Sequence, residues 1–92
     1  MKLKINKDKH FRTCNFQIAA FLYSKEQQLV DIVPSYNPSQ KEFVFTKTSE
    51  LDALVDKYKF GDKTDNDLLV SVHSYEQARR QLLDRLNDAD NL

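Results

Sequence analysis

The stretch LVDIVPSYNPSQKEFVFT, residues 29–46, carries the strongest indication of the fold class. Its first part, residues 29–36, is rich in β-branched side chains and predicts a strand. The next four residues, 37–40, are typical of a turn, because their proline fixes one φ angle. Residues 43–46 then predict a return strand, so the stretch as a whole indicates an antiparallel β-hairpin.

Side-chain alternation defines the two faces of this hairpin. Successive residues of a strand point to opposite faces, which places Phe43 and Phe45 together on the core face. We expect these two residues to lie opposite Val30 and Ile32. Pro34 has no N–H donor, so its strand is expected to lie at an edge of the sheet or to bend there.

Two elements are predicted before the hairpin. Residues 1–6 alternate apolar and polar side chains, which is typical of a brief edge strand or arm, and a polar loop follows at 6–10. Thr13 is a good N-cap for a first helix over about residues 14–25. Its buried face would carry residues at helical spacing, namely Cys14, Ile18, Phe21 and Leu22.

A second helix follows the hairpin, capped by Thr48 or Ser49; the pair Ser49 and Asp52 resembles a capping box. Its apolar stripe consists of Leu51, Leu54, Val55 and Tyr58. Gly61, the one glycine of the chain, is expected to end this helix in a left-handed conformation.

A third helix is predicted to begin after Ser71, and Ser74 with Gln77 is a competing capping box. We prefer Ser71, because a start there gives the helix one continuous face. That face carries Val72, Tyr75, Arg79, Leu82 and Leu86. Residues 88–92 are acidic and are expected to fray.

The predicted fold is therefore a small single α+β domain. An antiparallel hairpin, with the N-terminal segment as a candidate third edge strand, packs against three helices in the order (β)-α-β-β-α-α. Residues 1–10 form a basic arm or edge strand, residues 11–87 form the domain, and residues 88–92 form the frayed C-terminus. A length of 92 residues fits one domain.

Composition narrows the class of protein. Fourteen lysines and arginines balance fourteen acidic residues, so a net-basic footprint for nucleic acid is absent. A single cysteine, Cys14, allows no internal disulfide. The sequence has no apolar run of the length that a transmembrane helix or signal-peptide core requires. We therefore expect a protein of a reducing cytoplasm, either of a bacterium or of an infected host cell.

Several core stretches carry a family resemblance over about residues 11–86. They are Phe11-Arg12-Thr13, Ile18-Ala19-Ala20-Phe21-Leu22, Phe43-Val44-Phe45, Leu51-Asp52-Ala53-Leu54-Val55, and Tyr75 with Ala78 and Leu82. In these the chain resembles a small αββαα domain of unknown function found in bacteria, their phages and mobile elements. The chain departs from that pattern at three places: Gln27 replaces a glycine, 37–40 replaces a glycine-containing turn, and Val72 replaces a proline. The resemblance implies a fold order and no activity.

Candidate chemistry is sparse, and we expect no enzyme, no cofactor and no metal. Cys14 near a helix N-terminus, with His10 four residues before it and His73 elsewhere, is a candidate nucleophile. We favour a packing role, because a thiol on the apolar helix face behaves as a small hydrophobic side chain. Asp62, Asp65 and Asp67, in the loop after the second helix, lack the spacing, central glycine and terminal glutamate of a calcium site. The motif at Phe43 to Phe45 lacks the basic and glycine residues of an RNA-binding strand.

Two functions from different classes remain. The first is a protein-interaction module, with a protein partner or a second copy binding at an exposed edge; a lone two-stranded hairpin is marginal in water and benefits from further strands. The candidate edge residues are Leu3, Ile5, Pro34 and Tyr36. The alternative is a nucleic-acid-binding accessory protein that uses its basic arm. The candidate phosphate contacts are Lys2, Lys4, Lys7, Lys9, Arg12, Arg79 and Arg80.

Overall fold

The computed structural model describes residues 9–37, 39–61 and 66–90. Within these ranges the element order is β-α-β-β-α-α, which confirms the predicted α+β class. The strands are β1 (His10–Thr13), β2 (Leu29–Pro34) and β3 (Lys41–Thr46), and the helices are α1 (Phe16–Ser24), α2 (Ser49–Phe60) and α3 (Val72–Asp90). A short 3-10 turn at Asn66–Leu68 precedes α3.

The three strands form one antiparallel sheet in the order β1-β3-β2. The predicted hairpin of β2 and β3 is confirmed, and so is the edge position of Pro34. The third strand is His10–Thr13, where the sequence predicted a polar loop followed by a helix start. The strand predicted at residues 1–6 lies outside the described residues. β1 removes the shortage of strands that first suggested a partner, since helix-covered three-stranded sheets are stable on their own.

The hairpin register differs from the prediction at one position. Ile32 pairs with Phe43 as expected, but Leu29 and not Val30 lies opposite Phe45. The cause is a register shift between Leu29 and Asp31, typical of a β-bulge, in which one strand carries an extra residue. Leu29 and Ile32 consequently both pack against the core.

The first helix begins two residues later than predicted. Thr13 is the last residue of β1, and its Oγ1 accepts from the Asn15 N–H at 3.1 Å. Asn15 is the N-cap, and its Oδ1 accepts from the Ile18 N–H at 3.1 Å. Cys14 therefore lies in the connection before the helix with an exposed side chain, and its predicted place on the buried helix face is wrong.

The other helix starts follow the sequence closely. Thr48 caps α2, with its Oγ1 accepting from Leu51 N–H at 3.0 Å, so the capping box from Ser49 is not formed. The preferred start of α3 is confirmed: Ser71 Oγ accepts from Ser74 N–H at 3.0 Å. The helix extends to Asp90, and fraying over 88–92 stays a prediction.

All three helices pack on the sheet face that carries Phe43 and Phe45. The buried cluster consists of Ile18, Ala19, Ala20, Phe21, Leu22, Phe43, Phe45, Leu51, Leu54, Val55 and Leu82. On the opposite face of β3, Val44 is also fully buried, outside this cluster. None of the helices within the described ranges is long and apolar enough to cross a membrane.

Candidate interaction surface

An apolar groove lies where the end of α2 meets the start of α3. It has a volume of about 440 Å³. Its lining residues are Phe21, Tyr58, Leu68, Val70, Val72, Tyr75 and Glu76, and we call this set the apolar groove. Six of its seven side chains are apolar or aromatic, which is the composition of a surface that binds other apolar groups.

The floor of the groove is part of the core. Phe21 of α1 is buried, and the ring of Tyr58 packs against it with centroids 5.1 Å apart and planes tilted by 41°. Tyr58 continues the predicted stripe of α2 but remains 38% exposed, since it forms the wall of the groove. The groove is therefore held by the same contacts that hold α1 to α2.

The connection before α3 is tied down on the other side. The Lys25 ammonium donates to the carbonyl oxygen of Leu69 and lies 5.9 Å from the centroid of the Phe21 ring. Ser71 then caps α3 through the amide of Ser74. Because both ends of this segment are anchored, Leu68 and Val70 are held along the groove.

Two large apolar side chains are exposed at the groove, one in its lining and one next to it. Val72 is 80% exposed and Leu69 is 60% exposed. The expectation that Val72 belongs to the core face of α3 is therefore wrong. The first turn of α3 projects past the core, and burial along this face begins with Tyr75 and continues through Ala78 and Leu82. Exposed apolar side chains at a groove are typical of protein-interaction sites.

Glu76 is the charged member of the groove lining. Its carboxylate accepts from Arg79 Nη1 at 3.2 Å, and both side chains are about half exposed. The Arg79 guanidinium also lies 5.9 Å from the Phe16 ring centroid, at the edge of the apolar face. An exposed ion pair of this kind contributes at most about 1 kcal/mol. The other six lining side chains are apolar or aromatic, so the groove is chiefly an apolar surface.

The candidate phosphate contacts that the structure describes are divided between the N-terminal segment and α3. Lys2, Lys4 and Lys7 lie outside the described residues, and Lys9 is exposed just before β1. Arg12 makes two bonds to Glu42, from Nε to Oε1 at 2.6 Å and from Nη2 to Oε2 at 2.9 Å. These hydrogen bonds raise the pKa of Arg12 above its ordinary value, and the smaller effect of burial lowers it.

The arginines of α3 lie on the other side of the sheet from Arg12. Strand alternation puts Arg12 opposite the core face, whereas Arg79 and Arg80 belong to a helix that packs on the core face. Arg80 is exposed and lines a small depression with His73 and Gln77. Nucleic-acid binding stays a prediction.

The candidate edge residues have mixed positions. Leu3 and Ile5 lie outside the described residues. Pro34 is exposed at the end of the edge strand β2, and Tyr36 is fully exposed in the turn that follows. The turn itself is confirmed at the predicted place, because the Gln40 N–H donates to the Asn37 carbonyl at 3.0 Å.

Cys14 lines a second depression, of about 340 Å³, between the hairpin turn and the end of α3. Phe16 and Phe43 meet edge to face beside it, with centroids 6.0 Å apart. Asn15, and not Cys14, caps the helix, so the cysteine gains no position inside the first turn. Within the described residues no group of three or more His, Cys, Asp and Glu side chains is arranged to hold a metal ion.

The apolar groove was missed in the sequence, although one signal pointed to it. Leu68-Leu69-Val70 is an apolar triplet directly after a polar loop, in a region without strand alternation or a helical stripe. Such a triplet either fills the core or forms a surface, and the sequence does not distinguish these outcomes.

A protein-family model described as a domain of unknown function, DUF5659, matches residues 8–87. Neither a comparison with curated proteins nor one with solved structures found a match.

Proposed function

Because the chain belongs to the DUF5659 family, a domain of unknown function, we propose a function from its own surface: it is a non-enzymatic protein-interaction module. The apolar groove binds apolar side chains presented by a partner protein. The observation that carries this proposal is a buried Phe21 with the Tyr58 ring packed on it, combined with the strongly exposed side chains of Val72 in the lining and Leu69 beside it.

The chemistry of the groove supports binding. Burial of apolar surface contributes roughly 25 cal/mol per Å² to the free energy of binding. A partner that covers the groove and the exposed side chains of Leu69 and Val72 therefore gains a favourable contribution. Tyr58 and Tyr75 add amphipathic rings, the side chains most often found at the energetic centre of protein interfaces. Their anchoring in the core limits the conformational entropy lost on binding.

The proposal places the domain in a cytoplasm. Cys14 is the one cysteine of the sequence and its thiol is exposed, which suits a reducing compartment. A bacterial, phage or mobile-element origin is part of the same proposal and is supported by the family resemblance.

Site-specific photo-crosslinking tests the proposal. A photoreactive phenylalanine analogue replaces Val72 in one variant and Gln81, exposed on the same helix, in the matched control. In cells of the source organism we expect a discrete protein adduct from position 72 and none from position 81. A second change, Leu69→Asp, places a charge beside the groove and is expected to suppress the adduct.

The adduct also identifies the partner. A mass of twice 10.8 kDa indicates a second copy, and any other protein mass indicates a different partner. An adduct that nuclease removes supports the nucleic-acid alternative instead. Equal labelling from both positions, or none from position 72 in a folded variant, contradicts the proposal.

A further inference from the structure

The outer edge of β2 has an unusual set of backbone groups. The Ser35 N–H donates to the Gln40 carbonyl at 3.3 Å, so the backbone N–H and C=O of Ser35 point toward β3. Along an antiparallel strand, the backbone groups of successive residues point alternately toward the partner strand and away from it. The backbone groups of Val33 and Asp31 therefore also point toward β3, and those of Ile32 and Pro34 point outward.

Neither outward position offers a free donor. The Ile32 N–H donates to Oδ1 of Asp31 at 2.7 Å, and Pro34 has no N–H at all. Both Asp31 and Pro34 are exposed, so this edge faces solvent. The register shift beside Asp31 distorts the strand as well, because a bulge bends and twists an edge.

We propose that Asp31 closes the β2 edge against strand addition by a second copy of this chain. Its carboxylate occupies the one outward amide that an added strand needs in this part of β2. Proline and bulges protect exposed edges in the same way. Any partner of the domain is thereby directed away from this edge, which reverses the expectation that Pro34 marks an interface. The inference is independent of the apolar groove.

The acceptor role of Asp31 is separable from its charge. Asp31→Asn keeps an Oδ1 acceptor without the charge, whereas Asp31→Val removes both. The double variant Asp31→Val with Pro34→Val also supplies the missing second donor. The readouts are molar mass by light scattering over a range of concentrations and amide exchange at Ile32, with circular dichroism to confirm folding.

We expect Asp31→Asn to match the wild-type mass and exchange. The double variant is expected to gain mass with concentration, toward twice that of wild type, with exchange at Ile32 at least about tenfold slower at high concentration. Asp31→Val alone is the second test if the double variant does not fold, and its Ile32 amide is expected to exchange faster than wild type when dilute. Wild-type behaviour in a folded Asp31→Val variant, or association of Asp31→Asn, overturns the proposal.

Discussion

Gly61 and Glu26, at the ends of α2 and α1, have opposite backbone requirements. Gly61 has a φ of −77° and a ψ of 168°, which are extended values, so its predicted left-handed conformation is wrong. Its need for glycine is steric, because an added Cβ would lie 2.5 Å from the carbonyl oxygen of Lys57. Glu26, by contrast, has a φ of 64°, a conformation that normally favours glycine.

Glu26 occupies the glycine position of a Schellman motif at the end of α1. The Gln27 N–H donates to the Leu22 carbonyl at 3.0 Å, and the Glu26 N–H donates to the Tyr23 carbonyl at 3.1 Å. We predict that Glu26→Gly stabilises the fold by about 0.5–1 kcal/mol, because relief of left-handed strain exceeds the added entropy of the unfolded chain. Urea unfolding measures this change. Glu26→Ala is the control, and it should not stabilise the protein. A Glu26→Gly variant that is less stable than wild type would contradict the left-handed strain at Glu26.

At the scale of elements, the N-cap of α2 gives the clearest prediction. Thr48 satisfies the Leu51 amide, and Leu51 is itself fully buried. Thr48→Ala is expected to destabilise the protein by about 1 kcal/mol, since the amide loses its acceptor. Thr48→Ser keeps the hydroxyl and should cost less than half as much. Denaturant midpoints for the two variants check this, and equal midpoints would show that the cap contributes nothing.

The elements predicted best from sequence are those with strong local signals. The hairpin has β-branched strands and a proline turn, and the caps of α2 and α3 use Thr48 and Ser71. The sequence did not predict β1, because this strand depends on pairing with a distant part of the chain. HFRT carries little strand signal, and it becomes a strand because it pairs with β3, thirty or more residues away. That pairing uses Thr13 as a strand residue and leaves Asn15 to cap α1.

At the scale of the molecule, the fold class followed from the order of elements, but the surface did not. The apolar groove combines residues of α1, α2, the connection before α3 and the first turns of α3, and their spacing in the sequence has no common period. Likewise, the closed edge of β2 depends on which amides face outward, and this is set by the bulge. Core positions follow the local spacing of apolar residues and can be predicted from it. These surfaces depend on how helices and strands pack against one another, which local spacing does not indicate.

The final prediction concerns the core that joins these elements. Leu82 of α3 is fully buried in the cluster formed with α1, α2 and β3, while its neighbour Leu83 is 45% exposed. Leu82→Ala is expected to cost about 2–5 kcal/mol, a large share of the roughly 5–14 kcal/mol that a domain of this length has. Leu83→Ala is the matched control, and it should cost under about 1 kcal/mol because its side chain is only partly covered. Urea unfolding followed by circular dichroism compares the two. A similar loss of unfolding free energy in both variants would mean that α3 packs on the core through a different face. The position of α3 residues in the apolar groove would then be wrong as well.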